Sequence, residues 1–238
     1  MEVIVIICIV AVVIAGIYFS HKKEKQRREE LLALAQELDL SFDPNSNSNF
    51  DDRFRQFSIF RKGRSRKAFN TLNGSLNIGD EDVEVLMGDY RYTVDTGSGK
   101  NKSSKTYRLS YLVIDISKYA FPKLLIRPEN FMDKVAGAIG FDDIDFESDE
   151  FSRNFYVSSS DKRFAYDLID PRMMEFLMKG EPKVLDAEDG WVCIIEKKRR
   201  WSVEQFKANI SWLKSWKSHW PTHVISSLKQ GGYTEGGD

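Results

Sequence analysis

Val3 to Phe19, VIVIICIVAVVIAGIYF, is an unbroken apolar run, and nothing else in the chain limits its fold as much. At about 1.5 Å of rise per residue, a helix of this length just reaches across a hydrocarbon core of roughly 30 Å. Its β-branched residues would favour a strand in water. In lipid a lone strand leaves its N–H and C=O groups unpaired, and only a helix satisfies them within one segment. The sequence therefore predicts a transmembrane anchor over residues 1–20, spanned by Val3, Ile4, Ile7, Val10, Val13, Ile14, Ile17 and Phe19. A secretory signal would carry its positive charges ahead of a shorter apolar core and end in a small-residue cleavage site. Here only Met1 and Glu2 precede the run, and the basic flank His21-Lys22-Lys23-Glu24-Lys25-Gln26-Arg27-Arg28 follows it. Cytoplasmic retention of that flank places the N-terminus outside and the large C-terminal part inside.

The rest of the 238 residues is highly charged yet balanced, 35 basic against 36 acidic, so no global field argues for a nucleic-acid partner. Cys8 lies in the anchor and Cys193 in an apolar strand pattern, which excludes a disulfide framework. Plentiful aromatic residues predict a folded domain rather than a solvated tail.

Leu31, Leu34, Ala35 and Leu38 recur at helical spacing, so a juxtamembrane basic helix over residues 21–41 is expected to lay a leucine stripe on the domain. After an Asn- and Ser-rich loop, Phe50, Phe54, Phe57 and Phe60 predict a short irregular helix that inserts rings into a core. Strands are predicted at Lys67 to Asn73, Val83 to Val94, Lys105 to Ile116 and Lys123 to Arg127. Pro128 should open a helix with Phe131, Val135 and Ile139 on one face; Ile144 and Phe146 should form a short strand, and Phe155 to Val157 another. Ser160 is placed as a helix cap, Asp170-Pro171 as a second, and Glu188-Asp189-Gly190 as a hairpin turn. Ser202 with Gln205 makes a capping box, and Trp201 against Phe206 a hydrophobic staple, for a helix ended by Pro221. The expected fold class is α+β: a transmembrane helix and then antiparallel hairpins backed by helices. The globular part covers residues 42–228, read also as two similar β/α sections, 42–128 and 129–228, ahead of a disordered tail over 229–238.

Chemistry leaves few local traces. Gly-Ser-Gly-Lys at residues 97–100 lacks the first glycine of a phosphate loop, has Val94 in its place, and precedes a strand instead of a helix. The acidic run Asp142, Asp143, Asp145, Glu147, Asp149 and Glu150 lacks the ligand order of a calcium loop, and Pro221 breaks the helix that would align His219 with His223 for zinc. No G-x-S-x-G elbow is present, and no motif names a catalytic residue, a cofactor or a metal. Two basic stretches, Lys22, Lys23, Lys25, Arg27 and Arg28 beside the anchor and Arg61, Lys62, Arg64, Arg66 and Lys67 within the domain, suit an anionic lipid surface; for the second, a solvated turn is an equal reading. Trp212, Trp216 and Trp220 among lysines suit either a partner contact or packing over a sheet.

Within Asp143 to Met178, the order of Phe146-Glu147, Phe151, Phe155, Val157, Asp161, Leu168, Pro171, Met174 and Leu177 resembles the C-terminal part of a bacterial domain family of unknown function, usually found in proteins with membrane helices. That resemblance implies a bacterial, inner-membrane location and transfers no catalytic residue. The reading that follows is a single-pass membrane protein whose cytoplasmic domain binds a membrane-associated partner. A membrane-bound enzyme with a cleft between two sections and an anionic-lipid sensor are the competing readings.

Overall fold

Period-two alternation along three long strands sets the architecture. The computed structural model describes residues 1–97, 102–129 and 143–233. The chain opens with α1 (Glu2–Glu37), followed by β1 (Ser41–Asp43), α2 (Phe50–Arg53) and a 3-10 turn (Ser58–Arg61). Then come β2 (Arg64–Asn77), β3 (Asp82–Thr96), β4 (Ser103–Asp115) and β5 (Leu124–Pro128). The C-terminal part supplies α3 (Asp149–Asn154), β6 (Phe155–Ser159), α4 (Lys162–Leu168), α5 (Pro171–Met178), β7 (Val184–Glu188), β8 (Trp191–Ile195), α6 (Val203–Ser218) and α7 (Thr222–Gln230).

All eight strands join one antiparallel sheet in the order β1-β2-β3-β4-β8-β7-β5-β6. Because successive side chains alternate faces, Val85, Met87, Leu112, Ile114 and Ile194 line one side while Leu86, Tyr90, Tyr111, Val113 and Cys193 line the other. The first side receives Leu31, Leu34 and Ala35 of α1, Met173 and Leu177 of α5, and Phe206, Leu213 and Trp216 of α6. The second is capped by Phe50, Phe54, Phe57 and Phe60, of which Phe50 and Phe60 meet edge-on and contact Tyr90 and Tyr111, while Phe54 stacks on Phe57. Each such buried ring contributes roughly 1.5–3 kcal/mol. The expected aromatic insertion is thus present, as are the capping box of Ser202 with Gln205 and the Trp201 to Phe206 staple.

Several expectations are corrected. The boundary between residues 128 and 129 does not divide two sections, since β5 pairs with both β6 and β7 and β4 pairs with β8, all in one sheet. Ile144 and Phe146 are buried but not in a strand: the Ile144 N–H donates to the Val157 carbonyl while Asp143 accepts from the Val157 N–H, so this segment covers the β6 edge with isolated bonds. Asp161, not Ser160, caps α4, because its carboxylate accepts from the Phe164 N–H. α1 stops at Glu37 and Ser41 already lies in a strand, so the juxtamembrane helix is shorter than residues 21–41. The C-terminal end is ordered further than expected: Pro221 is the residue before α7, and Tyr233 is buried against Phe164 with its hydroxyl on Asp167. The helix expected from Pro128 over Phe131, Val135 and Ile139, and residues 98–101 and 234–238, lie outside the described residues.

Candidate functional site

The most unusual chemistry lies where α1 meets the sheet. Asp89, fully buried in β3, sits where the inward stripe Val83, Val85, Met87 would place a fourth apolar residue. Its carboxylate accepts from Arg27 Nη2 at 2.9 Å and Nε at 3.2 Å, from Ser110 Oγ at 2.7 Å and from Asn70 Nδ2 at 3.2 Å. The remaining Arg27 nitrogen donates to the Trp201 carbonyl, the Trp201 N–H donates to Ser110 Oγ, and the guanidinium lies over the Phe206 ring. A forked guanidinium meeting a carboxylate with every donor placed is the arrangement that can offset the large cost of burying two charges.

Local sequence builds this joint. β2 carries a bulge between Phe69 and Leu72 in which Asn70 adopts a left-handed conformation (φ 51°) and turns its amide onto Asp89. Gly88 stands opposite the bulge, where a Cβ would lie 2.7 Å from the Asn70 carbonyl oxygen. One turn up α1, Glu24 accepts from Arg200 at 2.9 Å. Burial would raise the Glu24 carboxyl, but the Arg200 hydrogen bond and the charges of Arg200, Arg108 and Arg27 outweigh it and hold it below its usual range.

A second feature is an open groove of about 820 Å³ with Phe146, Tyr166, Ile169, Pro171, Met174 and Met178 along it and Asp145, Glu147, Asp170 and Glu175 at its rim. Asp170 and Glu175 are already paired with Arg172 and Lys179.

The structure separates the residues singled out from sequence. The apolar residues Ile4, Ile7, Val10, Val13, Ile14, Ile17 and Phe19 all project from α1 into open surroundings, between 49% and 66% exposed. Val3 falls in α1, with its side chain outside the described residues. Of the basic flank, Lys22, Lys23, Lys25 and Arg28 are exposed. Arg27 is removed from that set, because Asp89 draws it inward to 9% exposure. In the second cluster, Arg61 is exposed and Lys62 half-buried, Arg64 is held by Asp95 and Arg66 by Asp51, and Lys67 lies half-buried in β2. Of the two readings for the tryptophans, packing holds for Trp216 and Trp220, at 0% and 4% exposure against Phe121 and Tyr119, and partner contact is corrected for both. Trp212 is half-buried between Phe176 and Lys183.

His219 stacks on Phe176, with Nδ1 against the Ser215 carbonyl. Among the described residues no group of three His, Cys, Asp or Glu is arranged to hold a metal ion. The joint itself was missed in the sequence, although a carboxylate closing an apolar period-two stripe at Asp89 was a readable signal.

One solved structure shares the fold, that of the mycobacterial trehalose monomycolate transport factor A, with a TM-score of 0.53 over 82% of this chain and 96% of that one. At 9% identity the likeness shows the architecture alone. No protein-family model and no curated protein matches the chain.

Proposed function

We propose that this chain is a membrane-tethered accessory module of a bacterial cell. In this reading α1 crosses the inner membrane with residues 3–19 and holds the sheet domain at the cytoplasmic face, where it meets a membrane-associated protein. The observation that carries the proposal is the two-part character of α1. Its first half exposes large apolar side chains without a polar face, and none of its most apolar window is buried, whereas Leu31, Leu34 and Arg27 of its second half are built into the domain. In water such a helix would leave an apolar surface far beyond what a soluble monomer tolerates; in a bilayer that surface is solvated. The shared fold with a protein named as a transport factor supports an accessory role in moving material at the membrane, and the groove along Phe146, Tyr166 and Met174 offers a place for a partner.

Extraction of cell membranes with alkaline carbonate tests the tether, and protease added outside intact cells tests the side. The full chain is expected in the pellet, with its domain spared. Recovery in the carbonate supernatant, or cleavage of the domain from outside, overturns the reading. The enzyme alternative asked for a cleft between two sections, and one sheet runs through that boundary instead.

A further inference from the structure

Two residues beyond Asp89, towards the β3–β4 tip, the same strands carry a row of like charges. Lys67 pairs with Arg91, and Arg91 pairs with Arg108, so three cations lie side by side across β2, β3 and β4. All three are on the face that carries α1: Lys67 alternates with Ala68, Arg91 with Tyr90 and Tyr92, and Arg108 with Leu109, each of which lies in the opposite, aromatic core. Like charges directly opposite on neighbouring strands oppose sheet formation. Acids on the same face are already engaged, Asp89 by Arg27, Glu24 by Arg200 and Asp95 by Arg64 and Lys102.

The course of α1 shows what this row faces. Leu40 and Ser41 lie against Gly74 and Asn73, and Asn73 pairs with Leu86. Arg27, further back along α1, meets Asp89, three residues beyond Leu86 towards the tip. Glu24 follows and feels the charge of Arg108. The helix thus leaves the domain on the side of Arg91 and Arg108. From Glu24 to Phe19, the last residue of the apolar run, there remain five residues of roughly 1.5 Å each, about the depth of one headgroup layer.

We propose that Lys67, Arg91 and Arg108 form a binding site for anionic phospholipid headgroups, which lays the sheet against the leaflet that α1 enters. The inference rests on the membrane tether proposed above and adds a second contact that fixes the domain's tilt. The row gathers charges from three separate strands and brings them to one height beside the helix that carries the apolar run. Each cation near an anionic surface strengthens the contact roughly fivefold.

The test reconstitutes the full chain in nanodiscs of phosphatidylcholine alone and of phosphatidylcholine with phosphatidylglycerol, and compares hydrogen exchange at residues 91–96 and 103–108. The expected result is exchange slowed at least fivefold in the anionic discs, reversed by molar salt, with the ratio between discs falling to one for Lys67→Gln, Arg91→Gln and Arg108→Gln combined. Equal exchange of the unaltered protein in the two discs overturns the site, as does a ratio that survives the triple substitution. Equal slowing in neutral discs by millimolar inorganic phosphate also overturns it, pointing to a soluble anion instead. A chain that never enters either disc fails the tether itself, a distinct outcome. The substitutions remove repulsion, so the variant folds at least as well in neutral discs and its altered ratio is not a folding defect.

Discussion

Two rows of the same sheet, two residues apart on β3, treat charge in opposite ways. In the first, Asp89 meets Arg27, Ser110 and Asn70 out of reach of water, and both carboxylate oxygens accept hydrogen bonds. In the second, Lys67, Arg91 and Arg108 line up, and among the described residues the acid that feels Arg108, Glu24, is already hydrogen-bonded to Arg200. The first is an internal joint, since every one of its partners belongs to this chain and removing Arg27 takes the forked cation from a buried carboxylate. The second forms no ion pair among the described residues beyond the pull of Arg108 on Glu24, and this is the ground for the lipid contact proposed above. What separates them is the height at which α1 crosses: the first row is buried under the helix, while in the second Lys67 and Arg91 are half-buried and Arg108 is exposed.

Arg27→Ala is the harshest way to break the joint. It leaves the Asp89 carboxylate, at 0% exposure, with Arg200 at 3.8 Å as its cation, and a buried pair broken from one side costs about 3–5 kcal/mol. Urea unfolding of the full chain in detergent should show a loss of that size, with Arg27→Lys intermediate because a point charge cannot replace the fork. A loss within 1 kcal/mol, by contrast, would mean that the pair is spectator to the docking of α1.

Gly88→Ala tests the same joint through the backbone. The new Cβ meets the Asn70 carbonyl oxygen at 2.7 Å and the Thr71 Cα at 3.0 Å, backbone atoms of a bulge with little room to yield. The expected loss is about 1–3 kcal/mol, because relief requires pushing Asn70 away from Asp89. The same substitution should leave the lipid-dependent exchange ratio unchanged, as Gly88 lies in neither row's charge.

Much of the fold was legible and the joint only half so. The aromatic insertion of Phe50 to Phe60, the leucine stripe of α1 and the Ser202 capping box depend on residues near one another in sequence, and periodicity reports them. The sheet order does not: nothing local says that β5 will slot between β6 and β7, and so two sections were expected where there is one sheet. Asp89 closes an apolar stripe, a signal that was readable but not read, and Arg27 looked like any cation of the basic flank. Only the fold shows that it is the one turned inward. The cluster at residues 61–67 drew attention by density, and the structure disperses it. Arg66 goes to Asp51 on the aromatic side, Arg64 to Asp95, and Lys67 to the row with Arg91 and Arg108, a grouping that requires strand register to be seen.

Acid should weaken the joint before it touches the basic row. Glu24 has its carboxyl lowered in the folded state, so its pairing with Arg200 contributes stability that is complete above the unfolded carboxylate's value and lost as pH falls through the folded one. The pair is partly solvated, at 27% and 35% side-chain exposure, so the effect is about 0–1 kcal/mol. A stability profile of Glu24→Gln should coincide with the unaltered protein at low pH and fall below it towards neutrality. Parallel profiles at every pH would remove Glu24 from the joint.

An effect of similar size has the opposite sign and is for that reason the sharpest. Arg108→Gln in neutral detergent should raise stability, by about 0.2–1 kcal/mol, since it removes one member of a like-charged pair directly opposite Arg91. Added salt should stabilise the unaltered protein by screening that repulsion and should do little for the variant, whereas Asp89 and Arg27, away from solvent ions, respond to salt in neither. If Arg108→Gln instead destabilises, the row has a partner within the chain, and the contrast between the two rows fails at its second term. If it stabilises, the chain carries a charge arrangement that its own fold disfavours, which is the signature of a surface shaped for something beyond it.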